Sequence, residues 1–274
     1  MITNIENISD YFYPADLYRD RTEGISAVVR CKNEEEFIIP SLLSIKDFFD
    51  EIIIILNCCD DKTWLLLNAL KLPNMKMFYY DEPIIAAGPE NIIVNPLSIH
   101  HIVYYTNYCF SLTNYKWVYR FDGDHIVLPN FYDLKNIIAC DRYSSIEDRG
   151  IDLVGQNCDM LGSQEMCSFE KRLVKITPEF KYIVTPNKMA EMPNCTGLSY
   201  RVEQPTFLHM KHCCKDIGRK WTNGWQGIHH FKAIKERHDP IKKYDGEIPF
   251  VLQKYLELGK DPLKLIDLYH NGKI

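Results

Sequence analysis

ISAVVRCKNEEEFIIPSLLSIKDFF, residues 25–49, is the stretch from which the fold can be read. Its first seven residues form a short β-branched run without polar alternation, the pattern of a strand buried on both faces of a parallel sheet. Ile38, Leu42, Ile45 and Phe49 then recur at helical spacing, so the stretch reads as strand, loop and helix. Glu34, Glu35 and Glu36 are expected in the first helical turn, where the macrodipole favours acidic groups, and Pro40 marks a helix start or bend close to itself. The alternation continues with EIIIILN (51–57) as a second strand, CCDD as a turn, KTWLLLNALK (62–71) as a helix and MKMFYY (75–80) as a third strand. This order predicts an α/β fold with a doubly wound, mostly parallel central sheet and flanking helices.

Asn95 and Pro96 make a suitable N-cap and first residue for a helix over 96–113, with Ile99, Ile102, Val103, Thr106 and Phe110 on its apolar face. That helix feeds KWVYRFDGDHIVLPNF, residues 116–131. The apolar run of Trp117, Val118, Tyr119 and Phe121 delivers Asp122 and Asp124 to the end of a strand, and Pro129 then opens a helix. Residues two apart on a strand face one side, so the two carboxylates can converge on a hard cation, Mn²⁺ or Mg²⁺, that keeps positions open for phosphate oxygens. Gly123 lets a bulky anion approach the backbone. The alternative for a lone Asp-Gly-Asp is a surface turn. In open sheets of this class ligands bind beyond the carboxyl ends of the strands, so the ends after Cys31, Asn57, Tyr80 and Phe121 are expected to share one crevice.

Further along, RYSSIEDRG (142–150) reads as a charged loop, DLVGQNCDM (152–160) as a strand, and a strand ends near Leu208. The mixed, basic stretch 168–188 has no assigned element. HHFKAIKER, IPFVLQKYLELG and DPLKLIDLYHNG form a helical C-terminal tail in which Gly259 and Gly272 serve as C-caps. Residues 1–23 show no period and are expected to wrap over the surface. The 274 residues, 46% apolar and 25% charged, describe an ordinary globular protein rather than a disordered one. A net charge of -5 gives no general attraction to nucleic acid, although a groove can carry its own basic field. No apolar run spans a bilayer and no leader is evident, so a soluble, cytoplasmic chain is expected, with peripheral membrane contact left open. The 10 cysteines fall in adjacent pairs or singly on apolar stretches without a CxxC, as expected of reduced thiols.

VVRCKNEEEFIIPSLLSI, then DEIIIILNCCDDKT, then YRFDGDHI, in that order, resemble the family 2 glycosyltransferases and their relatives of the GT-A fold. The resemblance implies a single domain over 1–274, with a nucleotide-sugar-binding half at about 25–131 and an acceptor-side half with the helical tail at about 150–274. It implies donor contacts from Asn33 and Glu34, metal and donor binding by Asp122 and Asp124 around Gly123, and Mn²⁺ or Mg²⁺ as cofactor. The family often has an Asp ending the second strand and a Ser-x-Asp-x-Thr turn after it. Here Leu56 and Cys59 depart from that pattern while Asp61 and Thr63 fit, and Asn57 or Asp81 is a substitute base contact.

By the same resemblance Glu191, some twenty positions ahead of a strand ending in His, is the candidate catalytic base, with Asp159 in reserve; a solvated loop carboxylate is the alternative for Glu191. His209 would complete the metal site or meet the diphosphate. Lys211, His212 and Lys215, with Arg219 and Lys220, could cover the diphosphate as a loop that orders on binding, although a solvated helix face suits Arg219 and Lys220 better. Arg30 and Arg120, beside the motifs on buried strands, need either an acidic partner or a phosphate. Trp221 and Trp225 could stack on acceptor sugars or pack in the core, and His229 and His230 carry no readable role.

The expected function is an inverting, metal-dependent transferase moving a sugar from a nucleotide diphosphate sugar to a hydroxyl of a glycan, glycolipid or protein. A non-catalytic nucleotide-sugar-binding module is the alternative that Leu56 and Cys59 keep open. A nucleotidyltransferase or dinucleotide oxidoreductase is disfavoured, because the loop after the first strand contains no glycine.

Overall fold

The computed structural model describes residues 2–3, 17, 19–155, 158, 160–213 and 242–274. In chain order its strands are β1 (Ile2–Thr3), β2 (Thr22–Cys31), β3 (Glu51–Asn57), β4 (Met75–Tyr80), β5 (Tyr115–Asp122), β6 (His125–Val127), β7 (Ser145–Asp148), β8 (Gly150–Val154), β9 (Met160–Met166), β10 (Glu170–Lys175), β11 (Lys181–Val184), β12 (Glu191–Asn194), β13 (Ser199–Arg201) and β14 (Phe207–His212). The α-helices are α1 (Ile38–Ile45), α2 (Thr63–Leu70), α3 (Ile102–Ser111), α4 (Leu134–Ala139), α5 (Phe250–Glu257) and α6 (Pro262–His270).

The fold is mixed α/β. Its main sheet runs β1-β4-β3-β2-β5-β10-β7-β13, parallel from β1 through β5, with β10 antiparallel to both neighbours. A four-stranded sheet, β6-β14-β8-β9, and the β11-β12 hairpin complete the architecture. The unalternating apolar runs of β2 and β3 follow from burial on both faces. Ala27, Val29, Ile52 and Ile54 join the core under α1, α2, α5 and α6, while Val28, Ile53 and Ile55 join the aromatic core under α3. The chain steps outward from β2 to β3 to β4 and then returns to place β5 on the other side of β2. That reversal makes the β2/β5 boundary a topological switch point, where a crevice opens beyond the strand ends.

Several local expectations are corrected. α3 starts at Ile102 rather than Pro96: Asn95 and Ser98 spend their acceptors on turns of their own (Ser98 N to Asn95 O 2.8 Å, His101 N to Ser98 O 2.9 Å), and His101 Nδ1 caps Val103 N at 3.0 Å. Glu34 to Glu36 precede α1 instead of filling its first turn, because Thr63 Oγ1 takes the Glu34 N–H (2.8 Å) and Asp61 Oδ2 the Glu35 N–H (3.1 Å). The stretch 142–150, expected as a loop, contains β7, whose polar Ser145 and Asp148 are interior. The strand expected over 152–160 ends at Val154, where Gly155 turns with φ 86° and β9 follows. The strand expected to stop near Leu208 runs on to His212. Residues 168–188, which no sequence pattern assigns, supply β10 and β11. In the tail α5 and α6 form as expected, each followed by its glycine at positive φ (Gly259 68°, Gly272 65°). HHFKAIKER lies outside the described residues.

Glu51 fastens the amino end of this sheet. Its buried carboxylate accepts from Ser26 Oγ and Asn114 Nδ2, both at 2.7 Å, and from Lys76 Nζ at 3.2 Å. Burial pushes its pKa up, but these hydrogen bonds, those from Asn114 foremost, outweigh burial and hold it below the ordinary value. A depressed folded-state pKa contributes stability that is complete above the unfolded value of about 4.3 and is lost as pH falls through the folded one. Wild type is therefore expected to melt above Glu51→Gln at pH 7, with the gap closing as pH falls below the unfolded value of about 4.3; a gap independent of pH would contradict this role.

Candidate active site

At the β2/β5 switch point a cleft of about 870 Å³ opens. Strand register sets its floor: Arg30 on β2 lies opposite Asp122 on β5, at the ends of adjacent parallel strands. Lys32, Asn33 and Glu34 line it from the loop after β2, Ala86 and Ala87 from the connection after β4, and Gly123 and Asp124 from the turn after β5. β10, antiparallel to β5, adds Glu170, Lys171 and Arg172, and β12 adds Glu191.

Buried guanidinium groups need partners, and here they find carboxylates. Arg30 Nη1 donates to Glu191 Oε1 (2.7 Å) and to Thr106 Oγ1 (2.7 Å), and Arg120 Nη1 reaches the same Glu191 oxygen at 3.4 Å. Arg120 also pairs with Glu170 through Nη2. Arg172 Nη1 donates to Asp122 Oδ2 at 2.8 Å, and its Nη2 lies 3.2 Å from Glu170 Oε2. Burial pushes the Asp122 carboxyl up, but Arg172 foremost, then other neighbours including Arg120 and Arg30, holds it well below the usual carboxylate range. Asp122 is thus an ionised, cation-bound group. Glu191 is only 6% exposed and sits on a strand, which removes the alternative of a solvated loop carboxylate.

Asp124 turns the other way, toward the small sheet. Its carbonyl accepts from Met210 N at 2.9 Å, and His209 Nε2 lies 3.7 Å from its Oδ2. His125 and His209 are opposite residues of the antiparallel β6/β14 pair, which sets their rings 4.9 Å apart, and Asp152 of β8 stands opposite His209 on its other side. Opposite residues share a sheet face, so register alone gathers the three. Asp152 Oδ1 holds His209 Nδ1 at 2.7 Å. Burial opposes charge on the His209 ring, yet Asp124 and Asp152 outweigh it and push its pKa up to about 10. His125 is fully buried and stacked on Phe207 (centroids 4.0 Å apart); burial and then Arg172 push its pKa well down, leaving a neutral ring.

Ligand atoms of Asp124, His125 and His209 lie within 4.8 Å of one another. Neither ring nitrogen of His125 has a hydrogen-bond partner, an expensive state for a buried polar atom that a bound ion would relieve. One carboxylate and two imidazoles form a donor set that suits Mn²⁺ better than Mg²⁺, which prefers oxygen alone. The set differs from the expected Asp122–Asp124–His209 in that Asp122 is engaged by Arg172.

Other residues expected to bind donor are engaged in scaffolding. Asn33 and Asp60 exchange hydrogen bonds (2.7 and 3.0 Å), and Asn57 Nδ2 donates to Tyr80 O (2.9 Å) and Glu82 O (2.7 Å), tying β3 to the chain after β4. Asp61 caps the Glu35 and Thr63 N–H groups. Among the described residues, Asn57, Asp61 and Asp81 do not line the cleft, so the second strand contributes less to the crevice than expected. A Cβ on Gly123 would stand 3.0 Å from Glu34 Cγ and 3.1 Å from Ile38 Cδ1; the room this glycine makes is occupied by the protein's own loop and helix. Lys211 and His212 lie on β14. Asp159, Lys215, Arg219, Lys220, Trp221, Trp225, His229 and His230 fall outside the described residues, as do the side chains of Lys211 and His212.

Sequence reasoning misses His125, Arg172, Glu170 and Asp152. His125 directly follows Asp124 and is within reach of the motif; Arg172 depends on a β10/β5 pairing across some fifty residues, which no local pattern encodes.

No protein-family model and no curated protein matches this chain. Among solved structures, S. aureus TarS 1-349 is similar at 12% identity and a TM-score of 0.40, covering 77% of this chain and 69% of its own. The same protein in complex with UDP is similar at 11% identity and 0.40, over 78% and 70%. A 4-diphosphocytidyl-2C-methyl-D-erythritol synthase from Anaerococcus prevotii is similar at 12% and 0.30, over 88% and 96%. Scores of this size assign no fold family. Among the described residues, no helix is long and apolar enough to cross a membrane.

Proposed function

We propose that this chain is a glycosyltransferase that moves a sugar from a nucleoside diphosphate to an acceptor hydroxyl, with a divalent ion, Mn²⁺ before Mg²⁺, and with inversion at the anomeric carbon. The observation that carries the reading is the meeting of two groups at one switch point: Arg30, Arg120 and Arg172, and Asp124 and His209, which line the same cleft with the buried His125 grouped beside them. A diphosphate leaving group needs both positive charge around its oxygens and a dry, fixed geometry. The ion held by Asp124, His125 and His209 would act as a Lewis acid on the diphosphate oxygens.

The remaining work falls to the chain itself. An entering diphosphate competes with Glu191 for Arg30 and Arg120, and the loosened Glu191 carboxylate then faces the cleft. The acceptor oxygen forms its bond to the anomeric carbon as the bond to the diphosphate oxygen breaks, the electron pair leaving with the diphosphate and the hydroxyl proton passing to Glu191. A single displacement inverts the centre. Arg172 keeps Asp122 ionised beside the incoming phosphates, and the backbone after β2, held by the Asn33–Asp60 pair, gives the nucleoside a wall. A glycan or glycolipid acceptor would enter from the side of β12.

One observation favours a second reading, nucleotide-sugar binding without turnover: Glu191 is clamped by two guanidinium groups that occupy the Oε1 with which it would take a proton. The two separate on one experiment. With a panel of nucleotide sugars and Mn²⁺, slow metal-dependent release of nucleoside diphosphate is expected from wild type, and Glu191→Gln should lower it about 10²–10⁴-fold without weakening nucleotide binding, since the competition for Arg30 and Arg120 is eased. Tight binding with no release by wild type would install the binding reading instead.

A further inference from the structure

His209 presents two faces, and only the Nε2 face belongs to the Asp124–His125–His209 set. On the Nδ1 face stand Asp152 and Cys167, whose ligand atoms with that ring lie within 4.8 Å of one another. Three neighbouring strands bring them together: β14 carries His209, β8 carries Asp152 opposite it, and Cys167 follows directly on β9, its N–H donating to Gly150 O of β8 at 2.9 Å. Asp152 Oδ1 lies 2.7 Å from Nδ1, Cys167 Sγ donates to Asp152 Oδ1 at 3.2 Å, and Sγ stands 3.8 Å from Nδ1. A tetrahedral zinc-class ion with one sulfur, one nitrogen and one oxygen ligand has ligand–ligand edges of about 3.3–3.6 Å, from its bond lengths and angles. The triad meets those edges with movements on the order of half an ångström.

We propose a second metal site at Asp152, Cys167 and His209 Nδ1, selective for a thiophilic divalent ion of the zinc class, with a fourth position for water. Thiolate, imidazole and a single carboxylate favour such an ion, whereas Mg²⁺ is refused by the sulfur. On binding, the Cys167 thiol proton and the Nδ1 proton of His209 both go to solvent, and Sγ and Nδ1 become ligands. A neutral imidazole coordinated through Nδ1 carries its proton on Nε2 and cannot ligate there. The two sites of His209 therefore exclude one another, and zinc antagonises the Mn²⁺-supported state; this last consequence alone rests on the function proposed above.

Co²⁺ is the probe, because a cobalt–thiolate bond gives a charge-transfer absorption in the near ultraviolet that carboxylate and imidazole ligands do not. Titration of wild type with Co²⁺ is expected to produce the band stoichiometrically, Asp124→Asn to retain it, and Cys167→Ser to lose it. No band in wild type, or an equal band in Cys167→Ser, overturns the site. Should Cys167→Ser fold poorly, alkylation of wild type followed by peptide mapping decides: Zn²⁺ is expected to protect Cys167 at least tenfold, and an unchanged rate at Cys167 overturns the proposal. Neither readout involves nucleotide, so failure of the transferase reading leaves both intact.

Discussion

Arg172→Met is expected to destabilise the protein by about 3–5 kcal/mol, the cost of removing one partner from a buried ion-pair network. Arg172 is almost wholly buried, donates to Asp122, faces Glu170 at 3.2 Å and Asp148 at 4.0 Å, and lies over the Phe207 ring at 5.1 Å. Asp148, 1% exposed, keeps hydrogen bonds from Tyr119 OH (2.7 Å) and Thr206 Oγ1 (2.9 Å), but burial already pushes its pKa up, and without Arg172 it would be driven toward the neutral form. Methionine keeps much of the apolar volume, so the loss reads charge rather than cavity. Urea unfolding measures it, and Asp122→Asn in the Arg172→Met background should restore part of the stability, since residues in one network do not add. A loss under about 1 kcal/mol with additive behaviour would place Arg172 in screening solvent, contrary to its burial.

Asp124→Asn is expected to lower metal-supported turnover about a thousandfold, the several kcal/mol that a Lewis acid contributes at a departing diphosphate. Mn²⁺ affinity, followed by loss of the free-ion signal in electron paramagnetic resonance, should fall in step. Asp122→Asn should weaken Mn²⁺ less, because Asp122, although its Oδ2 lies 3.5 Å from His125 Nε2, is bound to Arg172, while Asp124 groups with both imidazoles. Equal losses would mean that Asp122 leaves Arg172 to join the ion.

The parallel half of the fold is legible because β2, β3 and β4 are short, continuous apolar runs separated by short helices, a pattern whose cause is local. The antiparallel half is not. β7 reads as a loop because Ser145, Glu147 and Asp148 are polar; in the structure Asp148 is held by Tyr119, Thr206 and Arg172 and the half-buried Glu147 by Arg201, all from distant segments. The start of α3 is misread from a good capping pair, Asn95-Pro96, that the structure uses for a turn. For the site, strand ends are the right places to look: Arg30, Asp122, Asp124, Glu191 and His209 all line one cleft. What the sequence withholds is how the charges are shared, since the pairing of Asp122 with Arg172 and of Glu191 with Arg30 depends on register between strands far apart in the chain.

The most direct measurement is the melting temperature of wild type against a panel of nucleoside diphosphates and nucleotide sugars, with and without Mn²⁺, beside Asp124→Ala. A ligand at a hundred times its dissociation constant adds about 2.7 kcal/mol to stability, a shift easily read. Stabilisation by one nucleotide class, requiring Mn²⁺ and absent in Asp124→Ala, is the predicted result. No stabilisation by any nucleotide, or stabilisation indifferent to both Mn²⁺ and Asp124, would contradict a nucleotide-sugar site at the β2/β5 switch point.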